Sequence, residues 1–498
     1  MKRGIFNKSA VYLFLLFTLL LTNLTCEFND PDLSLQDDEI AEFDPAFVLR
    51  MFHDNNLRKE IYKEIISNRP DSTLHMPALE YISIRDIEKI TSLYLVNKQI
   101  YSLFGIENCT NLTTLDISST PINSIAPLSG LPKLKKLYMV SCGLKNLIPL
   151  SDVYSLEYID ADQNMISDIS ALADLTNLRT IKLSHNNVND ISALEKLNIL
   201  EHFSVRNNSI ADISVLENCK KLKIIDIADN KIKSLPDFKG FSDLIRVEAR
   251  SNQITTVSGI NNLQNLNSLY LESNNITSVS DLTDLPALRN LSLAYNYISS
   301  ISAISNLNNL EQLNLFENRI SDLSFLSAMP NIKYLWLGNN HVSDFSPILN
   351  LTNPDYLDFR GNYLYDIDFL ASFTGLKKLD ISYTNVASIK ALAPLINLET
   401  LAFYRTAIRD ISVVANFKKL YYLDMGENRL ENIDPVKELN YLNYLNLVSN
   451  MIKDLTPVIE CKGMRNPSTL NINNNPLSEI AISEQIPLLR ARGVYVFD

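Results

Sequence analysis

Chemistry in a chain of 498 residues must come from a few side-chain types, and this one is sparing with them, holding 5 His and 5 Cys. His53 and His75 lie near the N-terminus, and His185, His202 and His341 fall at unlike places further on, so no two share a face at ligand spacing. No G-x-S-x-G, phosphate-cradling P-loop or H-E-x-x-H stretch occurs. Carboxylates are the one plentiful reactive group. Asp116, Asp160, Asp226, Asp358, Asp380 and Asp424 recur at equivalent places, and carboxylate pairs can hydrolyse glycosides. A solvated acidic face that keeps a sheet soluble accounts for them more simply. The reading is therefore of a protein without catalysis, metal or cofactor. With 45 Lys and Arg against 57 Asp and Glu, the net charge of −12 argues against a protein that holds nucleic-acid phosphates. An apolar content of 46% excludes a disordered chain.

The elements that must position these residues follow from a period. From Ile90 to Gly463 one pattern returns every 22 residues without insertion, giving seventeen coils. Apolar residues stand at positions 1, 4, 6, 11, 14, 17 and 20 of each coil and Asn at position 9, as in Leu178, Ile181, Leu183, Asn186, Val188, Ile191, Leu194 and Leu197. A single coil of this length cannot enclose its own apolar side, whereas stacked coils bury one continuous core. Within the coil, L-x-x-L-x-L-x-x-N predicts a short strand and a tight turn. Positions 4 and 6 then face in, and positions 3, 5 and 7 face out.

The Asn amide is expected to turn inward and satisfy backbone groups of the bend. Lys98, Thr120, Cys142, Thr384 and Thr406 replace it in five coils. The D-I-S-x-L run of the second half, as in Asp168 to Leu172, predicts a short 3₁₀ or one-turn helix on the side opposite the strands. A narrow strand side against a wider far side would curve the stack into an arc. Cys109, Cys219 and Cys461 fall at position 20 and Cys142 at position 9, all inward. The nearest pair, Cys109 and Cys142, is two coils apart. At about 4.8 Å per coil that exceeds disulfide reach, so four buried free thiols are expected.

Residues 1–25 pair Lys2, Arg3 and Lys8 with an apolar run from Val11 to Leu21, a signal-peptide pattern too short to span a bilayer. Removing it takes the charge from −12 to −15. Cys26 then stands where a bacterial lipoprotein carries its lipidated cysteine, and that resemblance implies a lipid anchor on the new N-terminus. An ordinary signal peptide beside an incidental cysteine is the alternative. Residues 26–44 carry eight acids and no base, as an extended tether would.

These repeats resemble leucine-rich repeat proteins, specifically the 22-residue internalin-like class of bacterial surface proteins. The segment with Phe52, Asp54, Leu57 and Ile61 resembles that family's helical cap, and Gly105 to Leu112 its first-coil junction. Asn475 to Ser478, Ile486 to Leu489 and Gly493 to Val496 resemble its closing half-repeat. The resemblance implies an α/β fold: a leucine-rich repeat solenoid with a curved parallel β-sheet on the concave face and short 3₁₀ or irregular segments on the convex side. The divisions expected are a helical cap over 45–89, repeats over 90–466 and a closing half-repeat over 467–498. The sequence shows no wall-sorting tail or immunoglobulin-like domain, so wall attachment and host-cell invasion are not carried over.

Function on such a scaffold falls to the outward positions 3, 5, 7 and 8. Among aromatics there, the first eight coils hold Tyr94, Tyr138 and Tyr158. The next nine hold Tyr270, Tyr295, Phe316, Tyr334, Trp336, Tyr356, Tyr383, Tyr404, Tyr422 and Tyr444. Strand propensity favours aromatics but predicts equal density in both halves. With Arg360 and Arg405 beside them, these ten predict a partner-binding face centred on Trp336, Tyr334, Tyr356 and Phe316. The expectation is an exported protein, surface-anchored or outer-membrane if Cys26 carries lipid and otherwise secreted, that binds a protein in adhesion or host or matrix contact. A carbohydrate-binding surface module would use the same aromatics on glycans. An intracellular subunit like the leucine-rich regulators of protein phosphatases is a further alternative. Nucleic acid is not expected as a partner.

Overall fold

The computed structural model describes residues 50–67 and 83–498. The expected leader (1–25), Cys26, the tether to residue 44 and parts of the expected cap segment (45–49 and 68–82) lie outside the described residues. The described chain begins with helix α1 (Asn55–Ser67) and the short α2 (Ile84–Glu88). Leu57, Ile61 and Ile65 recur at four-residue spacing and form the buried stripe of α1. Asp54 starts the helix by accepting the N–H groups of Asn56 (2.8 Å) and Leu57 (3.2 Å). Its second oxygen accepts the N–H of Tyr101 at 2.9 Å, tying the cap to the first coil.

From β1 (Ser92–Tyr94) to β17 (Tyr444–Asn446), every coil contributes one three-residue strand at positions 3 to 5. Each pairs in parallel with the next, one coil on, so that Leu335 faces Leu357 and Leu357 faces Leu379. Two more strands, β18 (Ser468–Asn471) and β19 (Val494–Phe497), extend the same sheet to nineteen. Helix α3 (Thr456–Glu460) and helix α4 (Ile486–Ala491) lie before and between them. Positions 1, 4, 6, 11, 14, 17 and 20 of the coils, with apolar residues of the cap and closing segments, supply a continuous core from Phe52 to Val494. Short 3₁₀ segments such as Ser170–Leu172 and Ser192–Leu194 line the far side. Their first N–H is taken by the preceding Asp: Ser170 donates to Asp168 and Ser192 to Asp190, each at 2.8 Å.

The Asn at position 9 binds coil to coil. Asn340 donates from Nδ2 to the carbonyls of Leu315 (2.9 Å), Leu337 (3.0 Å) and Gly338 (3.2 Å), and its Oδ1 accepts the N–H of Ile320 at 2.9 Å. The same set recurs at Asn186, Asn296 and Asn450. Thr384 supplies only a bond to the Ile381 carbonyl at 2.6 Å, and Cys142 donates to the Ile117 carbonyl at 3.1 Å. Lys98 instead reaches the cap, 3.3 Å from Glu60.

Position 8 carries a feature the spacing does not reveal. Residues there adopt the left-handed region, as at Asn339 (φ 53°), Tyr383 (φ 55°) and Arg405 (φ 51°). That conformation costs an ordinary residue about 1 kcal/mol or more. It aims the N–H at the carbonyl of position 7 on the next coil, so that Tyr383 donates to Tyr404 and Asn339 to Arg360, each at 2.7 Å.

Candidate functional site

Register places the outward residues of successive coils side by side. Tyr334 pairs with Tyr356, Trp336 with Asp358 and Asp358 with Asp380, while the leucines between them point into the core. The Trp336 ring lies 6.2 Å from Tyr334 at a shallow 20° and meets Tyr356 edge-on at 5.3 Å and 75°. All three are half-buried. Tyr295, about half exposed, meets Phe316 edge-on at 5.3 Å. Arg360 lies over the Phe316 ring at 5.2 Å. Gly338 makes this possible: a Cβ there would come within 2.7 Å of the Phe316 ring and 2.8 Å of Arg360 Cγ.

A second group follows on later coils. Tyr383 and Tyr404 approach to 5.3 Å, and Tyr422 and Tyr444 stack in parallel at 4.4 Å. Tyr404 donates its hydroxyl to Glu427, which also pairs with the exposed Arg405 at 3.6 Å. Burial pushes the Tyr356 phenol up to about 12, aided by the nearby Asp358. The structure thus gathers Tyr295, Phe316, Tyr334, Trp336, Tyr356 and Arg360 in one group and Tyr383, Tyr404, Arg405, Tyr422 and Tyr444 in another. Tyr270 stands apart, its ring covered by Arg246 (5.2 Å) and Arg250 (5.6 Å), both of which hold Glu248.

Arg360 is not the free cation its position suggests. Its Nε and Nη2 bond the Asp358 carboxylate at 2.9 and 2.6 Å, and its Nε lies 3.3 Å from Asp380. The simple picture of a solvated acidic face is corrected with it. Asp358 is fully buried and Asp160 nearly so, because neighbours one strand away on either side roof over position 5. The carboxylates have a backbone task instead, each accepting the N–H two residues on: Ser118 donates to Asp116 at 3.0 Å, Ser382 to Asp380 at 2.9 Å and Gly426 to Asp424 at 3.2 Å. Asn314 and Asn446 do the same for Phe316 and Val448, both at 3.1 Å. Burial raises the carboxyls of Asp226 and Asp358, and pushes that of Asp424 up to about 6.

Cys109, Cys142, Cys219 and Cys461 are free and buried. Burial pushes the Cys109 thiol up to about 12 and that of Cys219 to about 11, so neither is a ready nucleophile. Among the described residues, no group of three or more His, Cys, Asp and Glu side chains could hold a metal ion.

One row of surface residues lies outside the four outward positions considered from sequence. At position 10 of successive coils, Arg319 covers the Tyr297 ring at 5.1 Å and His341 stacks on Tyr363 at 6.5 Å. Its signal was available in the recurrence of one position over four coils.

The fold is that of a leucine-rich repeat solenoid, and family models match part of it. The family described as Leucine Rich repeats (2 copies) matches residues 110–153, 154–196, 200–240 and 308–350, and the family described as Leucine rich repeat matches 264–320. No curated protein sequence matches the chain. Solved structures similar to it include a leucine-rich repeat protein of Leptospira interrogans, at 20% identity and TM-score 0.61, covering 83% of this chain and 97% of that one. The functional domain of InlJ from Listeria monocytogenes is similar at 21% identity and TM-score 0.56, with 85% and 81% covered. The plant peptide hormone receptor RGFR1 in complex with RGF2 is similar at 21% identity and TM-score 0.63, with 78% and 67% covered. These likenesses concern the solenoid fold.

Proposed function

We propose that this is an exported leucine-rich repeat protein that binds a protein partner through the aromatic-rich half of its sheet face. The observation that carries the reading is the joined group of Tyr334, Trp336 and Tyr356, with Phe316 and Arg360 beside it. Rings held by their neighbours lose little entropy on docking, and Trp, Tyr and Arg dominate binding energy at protein interfaces. The similar plant receptor is a complex with RGF2, which accords with a protein or peptide occupant. Export rests on the leader pattern at 1–25, and attachment on Cys26. Among the described residues, no helix is long and apolar enough to cross a membrane.

Protein and glycan arrays probed with the purified chain test the reading. The expected result is a protein signal that Trp336→Ala weakens by about 2 kcal/mol or more without lowering the melting temperature. An unchanged affinity removes the face from consideration, and a glycan signal lost in the same variant would turn the reading to carbohydrate. Mass measurement of the mature N-terminus from membranes decides anchor and compartment. A diacylglyceryl mass on Cys26 is expected, and a chain beginning at Met1 in the cytosol overturns export.

A further inference from the structure

One flank of the solenoid, formed by position 22 of each coil and position 2 of the next, is tied coil to coil by two rows of side chains. Charges alternate along position 2, with Lys333 held to Glu311 at 2.9 Å and Lys377 to Asp355 at 3.2 Å. At position 22, asparagines bond the preceding coil: Asn331 donates to the Asn308 carbonyl at 3.1 Å and Asn397 to that of Thr374 at 2.9 Å. Both rows stop in the last coils. Tyr421 and Asn443 follow Glu399 at position 2, and Lys419, Tyr441 and Gly463 follow Asn397 at position 22. The period breaks there too. Tyr444 pairs with Thr469 instead of Asn466, so three additional residues enter ahead of β18.

Two adjoining hollows open where the rows end. The first, of about 600 Å³, is lined by Glu399, Lys419, Tyr421, Tyr441 and Asn443. The second, of about 470 Å³, shares Tyr441 and Asn443 with it and adds Asn440, Lys462, Arg465 and Asn466. Tyr441, 70% exposed, is thus a wall common to both. Gly463 also lines the second hollow and keeps it open, since a Cβ there would collide with the Leu442 nitrogen. Asn443 holds the inserted stretch in place by donating to the Pro467 carbonyl at 2.8 Å. Charge in this hollow is one-sided. Among the described residues, neither Lys462 nor Arg465 has a hydrogen-bond or ion-pair partner for its charged group, and no carboxylate lines the hollow. Glu438, which senses the Lys462 charge, is already held by Lys418 at 2.8 Å.

We propose that the two hollows around Tyr441 bind an acidic glycan, its sugar chain crossing the Tyr441 ring and its carboxylate or sulfate group resting on Lys462 and Arg465. Two unanswered cations suit such an oxyanion. An exposed Tyr offers an apolar face to a sugar ring, and the amides of Asn440 and Asn466 suit its hydroxyls. An acidic peptide would meet the cations equally well. It would find no buried apolar pocket for an anchoring side chain, because every residue lining the two hollows is exposed or half-buried. The site lies on the flank, away from the aromatic sheet face, and does not depend on the protein-binding reading of that face.

The test is calorimetric titration of the full chain, in dilute salt, with a heparin hexasaccharide, a hyaluronan hexasaccharide, neutral maltohexaose and hexaglutamate. At least one of the two acidic glycans should bind and maltohexaose should not. Hyaluronan carries carboxylate alone, so its binding assigns the cations to carboxylate, and binding of heparin only assigns them to sulfate. Lys462→Gln combined with Arg465→Gln should weaken the glycan about tenfold or more, and Tyr441→Ala about fivefold or more. All three residues are exposed, so melting should not change. Lys220→Gln with Lys221→Gln, an exposed cation pair on the same flank of an earlier coil, should alter binding less than about twofold. An equal loss in that control pair, or an unchanged affinity in Tyr441→Ala, reduces the effect to diffuse charge attraction and overturns the site. Hexaglutamate bound as tightly as the glycans and lost in the same variants overturns the glycan in favour of an acidic peptide. Trp336→Ala should leave glycan binding intact, so failure here and failure of the sheet-face reading remain separate results.

Discussion

Phe316 and Arg360 lie two coils apart and meet face to cation across Gly338, 5.2 Å from guanidinium carbon to ring centroid. The same guanidinium holds the fully buried carboxylate of Asp358. Arg360 therefore joins the half-buried aromatic group to a buried charge, and replacing it strands that charge. Arg360→Ala should cost about 3–5 kcal/mol in urea unfolding. Asp358→Asn combined with Arg360→Met should recover part of the loss, because the fully buried ion is then gone while Asp380 still loses the guanidinium beside it. A single Arg360→Ala variant as stable as the parent would show Asp358 to be hydrated.

The repeat and its strands were legible because a 22-residue period over seventeen coils fixes which side chains face in. Position 4 leucines such as Leu335 could hardly lie elsewhere. What the period could not show was how residues on one face treat each other. Asp358 counts as outward by spacing, yet Arg360 and its strand neighbours bury it; Tyr270 counts as available, yet Arg246 and Arg250 cover it. Those outcomes depend on side-chain size one coil away, as Gly338 shows by letting two longer residues touch over it. The left-handed turn at position 8 escaped for a different reason. Asn, Ser, Tyr, Glu and Arg all occupy it, so composition gives no sign of a conformation that inter-coil hydrogen bonding imposes.

Asn340 makes four hydrogen bonds that hold two successive coils in step. Asn340→Ala leaves the Ile320 N–H and the Leu315 carbonyl buried without partners, so about 1–3 kcal/mol should be lost. Asn340→Thr should lose less, since Thr384 at the same place of its own coil still reaches one carbonyl. Urea midpoints compared at equal slope would measure both. A threonine variant no better than alanine would show that the coil-to-coil bonds carry the whole effect.

Gly105 has φ 107°, and a Cβ on it would come within 2.7 Å of Phe52 Cα. Any side chain there is strained and also pushes on the backbone that leads into α1. Gly105→Ala should loosen the cap before the coils. Hydrogen exchange in α1 is expected to speed up by about tenfold or more while the middle coils keep their protection. Uniform loss of protection along the sheet would mean instead that cap and coils open as one unit.

Asp424 couples the face to pH with a definite sign. Its folded carboxyl titrates near 6, above the ordinary value of 3.8, chiefly through burial and with a contribution from Asp380. Between those values the folded state binds more protons than the unfolded state. The stability it contributes is thus complete below about pH 4 and lost as pH rises through 6, by roughly 2–3 kcal/mol. Asp168, Asp212 and Asp410, lowered by the N–H groups they accept, have the opposite slope and lose stability in acid. The whole protein therefore mixes the two signs, and the difference between parent and Asp424→Asn isolates one of them. Their unfolding free energies should lie closest at pH 4 and diverge by pH 7 with the variant the more stable. A constant gap across that range would place Asp424 in water.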